Sequence, residues 1–143
     1  MADNLTTKER SARMALIRSK HTKPERLVRV MARSLGQEYV LHHKGLPGTP
    51  DLVFPKLCKV IFVHGCFWHR HASIRCKLAR IPKSNSSFWL PKLEQNRARD
   101  SRVQRAINRL GWRYIVVWEC QLRYPDRVAV RMRKFLRTER GKK

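Results

Sequence analysis

Apolar positions along this chain switch from helical to strand-like spacing and back again. Leu27, Val30, Met31 and Leu35 recur at intervals of three and four, which predicts a helix with these residues inward. Thr22-Lys23-Pro24-Glu25 supplies its start: Thr22 can cap, Pro24 suits the first turn, and Glu25 stands where a capping-box carboxylate belongs. Gly36 stops it. A shorter basic helix is expected before it, over residues 10–19, with Met14 and Ile17 on one side. Beyond Gly36 the period falls to two. Residues 38–43 read as a strand in which Tyr39 and Leu41 alternate with polar neighbours, and residues 44–50 as a loop punctuated by Gly45, Pro47, Gly48 and Pro50. Residues 51–54 and 58–63 are short apolar strands separated by a turn at Pro55-Lys56.

From His64 to about Asn85 no period is visible, and a loop of that length needs a function or an internal tie. Ser86 or Ser87 can cap a long helix running to Leu110, with Val103, Ala106, Ile107 and Leu110 inward and Gly111 closing it. Pro91 is tolerable there only in the first turn or at a kink. Residues 112–118 form the last and most apolar strand. Residues 125–137 form a final helix with Val128, Met132, Phe135 and Leu136 inward and arginines outward. The expected order is α-α-β-β-β-α-β-α around a small mixed sheet: one α/β domain over residues 1–143, with a basic arm over 1–20 and a loose basic tail over 138–143.

Charge changes the picture most. Lys and Arg number 33 against 10 acidic residues, a formal net charge of +23. A small domain needs a charge of only ~2–8 for solubility. The excess repels itself in a compact fold, so an anionic partner is the economical explanation, and nucleic acid is the expected one. If ~6–10 phosphates are neutralised, affinity should fall by about 10³–10⁵ between 50 and 200 mM salt. No apolar run approaches the ~20 residues of a spanning helix, and residues 5–20 do not read as a signal peptide. A membrane partner is therefore not expected and an intracellular location is. There, four cysteines argue for metal or buried thiols rather than disulfides.

The candidate chemistry is concentrated in Val60-Ile61-Phe62-Val63-His64-Gly65-Cys66-Phe67-Trp68-His69-Arg70-His71. Cys66, His71 and Cys76 are spaced by four residues on each side, and Cys120 follows a strand end that can return to them. Cysteines with one histidine form a closed tetrahedral set that zinc prefers, and such a site would pin the long loop. Cys58 reads instead as a buried thiol opening a strand. Asp51, beside a Gly/Pro loop, is a candidate Mg²⁺ holder with coordination positions left for phosphate and water. His64 and His69, once His71 is given to zinc, are candidate bases. Each also has a bland alternative: a turn residue for Asp51, a spare zinc ligand for either histidine, a helix cap for Glu25.

Pro50-Asp51 followed by a strand and then F-V-H-G-C-F-W-H-x-H closely resembles the very-short-patch repair (Vsr) endonucleases, bacterial enzymes of the restriction-endonuclease-like (PD-(D/E)XK-like) fold. Further matches are Arg10-Ser11 to Met14, Glu25, Leu46 to Asp51, Phe88 to Lys92, Asn96 with Arg99-Asp100, and Gly111-Trp112 to Trp118-Glu119-Cys120. The resemblance implies a Mg²⁺-dependent enzyme of DNA repair that nicks one strand 5′ of the thymine in a T·G mismatch left by deamination of 5-methylcytosine. It implies that Asp51 and the main-chain carbonyl of Val63 bind Mg²⁺, that His69 activates water, and that His64 and Glu25 complete the centre. Cys66, His71, Cys76 and Cys120 would hold structural zinc.

Two departures stand out. Many family members carry threonine where this chain has Val63, which supplies the same carbonyl but no hydroxyl, and the spacing from His71 to Cys76 is longer. The acidic-x-lysine signature of the wider fold is replaced by Phe62-Val63-His64, a loss shared with the family.

A mismatch is found through its weakened stacking, and apolar wedges exploit that weakness. The resemblance implies insertion of Phe67, Trp68 and Trp89 from the major groove and of Met14 from the opposite side; the bland alternative makes all four core. Lys92 and Asn96, at i and i+4 on one helix face, are candidate contacts to bases or phosphates. The implied setting is the bacterial cytoplasm and nucleoid, with mismatch-repair proteins as possible collaborators and a monomer as the working form. Two competitors remain: a non-catalytic basic zinc module that binds nucleic acid, and a nuclease of the same fold with restriction-type specificity.

Overall fold

A computed structural model describes residues 22–69, 71, 76 and 86–137, excluding the side chain of Ser86. The expected first helix, the basic arm and tail, and Met14 lie outside the described residues. Within them the order is α1 (Lys23–Ser34), β1 (Val40–Leu41), β2 (Leu52–Phe54), β3 (Lys59–His64), α2 (Ser86–Arg109), β4 (Arg113–Trp118) and α3 (Pro125–Arg137). Short 3₁₀ turns at Pro55–Leu57 and Glu119–Arg123 follow β2 and β4. The four strands form one mixed sheet in chain order, antiparallel for β1–β2 and β2–β3 and parallel for β3–β4. A parallel pair needs a long crossover, and α2 provides it.

Strand alternation sorts the core into two faces. Leu52, Phe54, Ile61 and Val117 point to one side, where Val28 and Ala32 of α1 and Val128, Met132 and Leu136 of α3 cover them. Val53, Val60 and Phe62 point to the other, under Ile107 and Val103 of α2. The result is a mixed sheet with helices on both faces, the restriction-endonuclease-like layout expected. Among the described residues no helix is long and apolar enough to cross a membrane.

Several local expectations are corrected. Helix α1 buries Glu25, Val28 and Ala32, with Met31 and Leu35 packed behind them, while Leu27 and Val30 are exposed. Burying the Glu25 face turns the stripe by one position and carries Leu27 and Val30 outward. Leu110, expected inside, is exposed at the end of α2. Pro91 lies beyond the first turn of α2, where it removes one backbone donor from the helix ladder. The first strand shortens to two residues because His42 turns into the left-handed region at φ 48°. Cys58 is buried as expected, but as the left-handed turn residue (φ 53°) before β3.

Candidate active site and metal centre

The site forms where β2 and β3 stop pairing. Their register ends at Leu52–Ile61, so Val63 extends past the last paired residue of β2. Its N–H is taken by Asp51 Oδ2 at 2.6 Å, which fixes the carboxylate at the mouth of the sheet. Burial, and then the neighbouring Glu25, push the Asp51 carboxyl up to about 8. Glu25 reaches the same place from the first turn of α1. Thr22 Oγ1 accepts its N–H at 3.4 Å as a cap should, and the Glu25 carboxylate lines the cleft. It accepts from Arg29 Nη2 at 2.5 Å through Oε2, while Oε1 lies 3.1 Å from His42 Nε2. His42 Nε2 is also 3.9 Å from Asp51 Oδ1.

Across the cleft, β3 ends in His64, whose ring stacks on His69 at 3.8 Å with the planes 6° apart. Burial, reinforced by His69, holds the His64 pKa down to about 3, and its Nδ1 has no hydrogen-bond partner among the described residues. His69 Nδ1 lies 2.6 Å from Asp100 Oδ2 on α2. An ionised carboxylate only accepts, so this contact puts the ring proton on Nδ1 and leaves Nε2 able to take another. These groups line one open cleft of about 530 Å³ that also touches Phe67, Trp68 and Asn96.

Behind the cleft wall, one donor atom each from Cys66, His71, Cys76 and Cys120 lies within 4.8 Å of the others. Cys120 Sγ is 3.5 Å from His71 Nδ1, and the Cys120 N–H donates to Cys66 Sγ at 3.3 Å. The His71 ring stacks on Trp118 at 4.2 Å. Burial pushes the Cys66 and Cys120 thiols up and the His71 imidazole down, so all three favour their neutral forms in the bare protein. Three thiol sulfurs and one imidazole converging at this spacing suit a closed tetrahedral metal site.

A family model for the DNA mismatch endonuclease Vsr matches residues 2–75. The chain is 46% identical over 136 residues to the type II nicking enzyme V.XorIIP of Xanthomonas oryzae pv. oryzae, covering 95% of this chain and 98% of that one. It is 44% identical to the type II nicking enzyme V.NmeAIP of Neisseria meningitidis over 86% of each chain. It is 38% identical to the DNA mismatch endonuclease Vsr of Escherichia coli, over 86% of this chain and 77% of the relative. The chain belongs to the Vsr DNA mismatch endonuclease family. It is accordingly a DNA endonuclease.

Within this Vsr-family cleft, the fold brings Glu25, Asp51, Val63, His64 and His69 to one place and gathers the four sulfur and imidazole ligands beside it. The aromatic candidates are packed together. Trp89 is only 9% exposed, its ring edge-on to Phe67 (5.2 Å), Phe88 (5.1 Å) and Trp68 (5.8 Å), over the buried Leu93. Asn96 donates from Nδ2 to the Trp68 carbonyl at 3.0 Å, so it ties this aromatic loop to α2. Lys92 is half-buried on the same helix.

Two site residues carry no role in the sequence reading, Asp100 and His42. A signal existed for Asp100: it is a carboxylate among Arg97, Arg99, Arg102 and Arg105, one helical turn from Asn96. His42 offered only its place at the end of an alternating strand.

Proposed function

We propose that this endonuclease nicks one DNA strand on the 5′ side of the thymine in a T·G mismatch, with Mg²⁺ at Asp51 and structural zinc at Cys66, His71, Cys76 and Cys120, as an enzyme of very-short-patch repair. The observation that carries it is the Asp51 carboxylate, pinned by the Val63 N–H and facing the Asp100-oriented His69 across an open cleft. A non-catalytic zinc module has no need of that arrangement.

The donor set fits the metals named. A strand residue directs its N–H and C=O to the same edge, so the Val63 carbonyl faces the side on which Asp51 accepts, beyond the last β2 pair. Its side chain packs against the main core, which makes valine as suitable as threonine if the main-chain carbonyl is the contact. Carboxylate and carbonyl oxygens are the donors Mg²⁺ takes, and three thiolates with an imidazole are those zinc takes. A divalent cation there supplies charge neutralisation at the scissile phosphate and a more acidic water.

The protein's own groups do the rest. His69, its Nδ1 proton held by Asp100, takes the proton of the attacking water at Nε2. His64 stays neutral at working pH and forms the flat wall that keeps the His69 ring in place beside the phosphate. Glu25, countered by Arg29, holds its carboxylate against Asp51 at the metal side of the cleft. For recognition, Phe67 and Trp68 border the cleft and are the wedge candidates, with Met14 assigned to the opposite side. Trp89 supports them in the packed cluster and would insert only by leaving it. Lys92 and Asn96, both half-buried on α2, would contact DNA from that helix.

The test is nicking of end-labelled duplexes that differ only in T·G against C·G, with Mg²⁺ or EDTA. A single Mg²⁺-dependent cut 5′ of the mismatched thymine is expected. Equal cutting of both duplexes would leave a nuclease of restriction type, and tight binding without cutting would favour the zinc module.

A further inference from the structure

His42 is the residue at the metal side of the cleft that the proposed chemistry leaves unused. Its placement is over-determined. The backbone takes a left-handed conformation (φ 48°) that residues with a Cβ adopt uncommonly. Its N–H donates to the Asp51 carbonyl at 3.4 Å, and its side chain is only 10% exposed. The turn therefore places an imidazole nitrogen next to Asp51 at some conformational cost.

The surrounding contacts narrow what that nitrogen is for. Glu25 already has a full counter-charge in Arg29, on Oε2 at 2.5 Å, so a second cation is not needed to balance it. Asp51 uses Oδ2 for the Val63 N–H, which leaves Oδ1 turned toward His42 and Glu25. One atom each of Glu25, His42 and Asp51 thus lies within 4.8 Å of the others. Adjacent ligands of an octahedral ion with bonds of ~2.1 Å are about 3 Å apart and opposed ones about 4.2 Å. The separations from His42 Nε2, 3.1 Å to Glu25 Oε1 and 3.9 Å to Asp51 Oδ1, fall in that range.

We infer that His42 binds, through Nε2, the divalent cation that Asp51 holds, giving an endonuclease centre of mixed nitrogen and oxygen donors. This rests on the reading of Asp51 as the metal holder. Such a centre takes Mn²⁺, Co²⁺ or Ni²⁺ more tightly relative to Mg²⁺ than an all-oxygen one, because imidazole favours later transition metals.

The experiment loads zinc-replete, full-length protein with Mn²⁺ and records its pulsed electron paramagnetic resonance and its Mn²⁺ and Mg²⁺ affinities. Wild type should show ¹⁴N modulation from a bound imidazole. His42→Gln should lose it and weaken Mn²⁺ by about tenfold or more, with Mg²⁺ weakened less. Glutamine keeps a donor for Glu25, so a merely positional role for His42 would leave the Mn²⁺ preference intact in that variant. Mn²⁺ that depends on Asp51, shown by its loss in Asp51→Asn, but has the same nitrogen signal with and without His42, would overturn the inference and leave Asp51 as the metal holder. Mn²⁺ bound equally by Asp51→Asn, or not bound at all, would remove both. Should His42→Gln not fold, His42→Asn replaces it, and absence of ¹⁴N modulation in the wild type alone overturns the ligand role.

Discussion

His69 Nδ1 and Asp100 Oδ2 lie 2.6 Å apart although 31 positions separate them in the chain. The contact joins the long loop after β3 to the middle of α2 and sets which imidazole nitrogen carries the proton. His69→Ala should therefore slow single-turnover nicking by about 10²–10⁴-fold. Asp100→Asn should cost at least about 10²-fold, because an amide can donate to Nδ1 and so move the ring proton to Nε2. DNA affinity, measured in parallel by anisotropy, should stay within roughly threefold for both, as neither change removes a positive charge from the DNA-binding surface. A large affinity loss with unchanged cleavage of bound DNA would argue against the assigned roles.

Gly48 should not tolerate a side chain. Its φ is +73°, and a Cβ would stand 2.4 Å from Val103 Cγ1 on α2. Gly48→Ala is expected to lose about 1–3 kcal/mol of stability in urea melts. Val103→Ala in the same chain should return part of that loss, since the two sites touch and do not add independently. Full additivity would show that the clash is relieved elsewhere.

Lys59 is fully buried in β3, and its Nζ donates to the Phe135 carbonyl in the last turn of α3, with the ammonium over the Phe135 ring. The bond fastens α3 to the sheet. Lys59→Ala should cost about 2–4 kcal/mol through lost volume and an unmade hydrogen bond. Lys59→Met, which keeps the volume, should cost only about 1 kcal/mol. Equal losses in the two variants would mean that packing plays no part.

Acid should act through His64. The unfolded chain takes a proton on this residue near 6.5, while the folded protein resists it until about 3. The unfolded state binds more protons in that window, so stability is full above 6.5 and falls as pH drops toward 3. Asp51 acts in the opposite sense in metal-free protein. Its folded carboxyl keeps its proton to about 8, so its contribution falls as pH rises from 3.8 to 8. Comparison with His64→Gln isolates the first effect. Wild type should lose up to about 1.4 kcal/mol per pH unit relative to the variant below 6.5. Parallel curves would place the His64 proton elsewhere.

The zinc reading predicts one equivalent by elemental analysis and a lower melting temperature after chelation. Thiol titration of the chelated native protein should find Cys76 and Cys120 reactive, whereas Cys58 and Cys66 are fully buried and should react only on unfolding. Less than half an equivalent, with no thermal effect of chelation, would remove the metal.

Helix α3 was fully legible in the sequence, because Val128, Met132, Phe135 and Leu136 repeat at helical spacing and do pack inward. Helix α1 was legible as a helix but not in its orientation. The apolar stripe pointed to Leu27 and Val30, whereas the buried Glu25 turned the other edge inward. A carboxylate needed inside a cleft defeats hydrophobic patterning, which treats charge as an outside marker. The site divides in the same way. Asp51, His64, His69 and the cluster of Cys66, His71, Cys76 and Cys120 were singled out from local spacing and family resemblance, and the fold brings them together, while Asp100 and His42 were not assigned roles.

By itself the sequence determined the element order from α1 onward, the basic character, the density of His and Cys side chains after β3, and the family. Periodicity, net charge and short motifs are local properties that survive without coordinates. Only the tertiary structure decided that Glu25 turns its carboxylate to His42 and Arg29, that Asp100 orients His69, that His42 turns a nitrogen toward two carboxylates, and that Trp89 packs among the aromatics beside the cleft. Those relationships depend on where β3 outruns β2 and how α1 and α2 are rotated against the sheet. That rotation is settled by the packing of side chains far apart in sequence, and no local pattern encodes it.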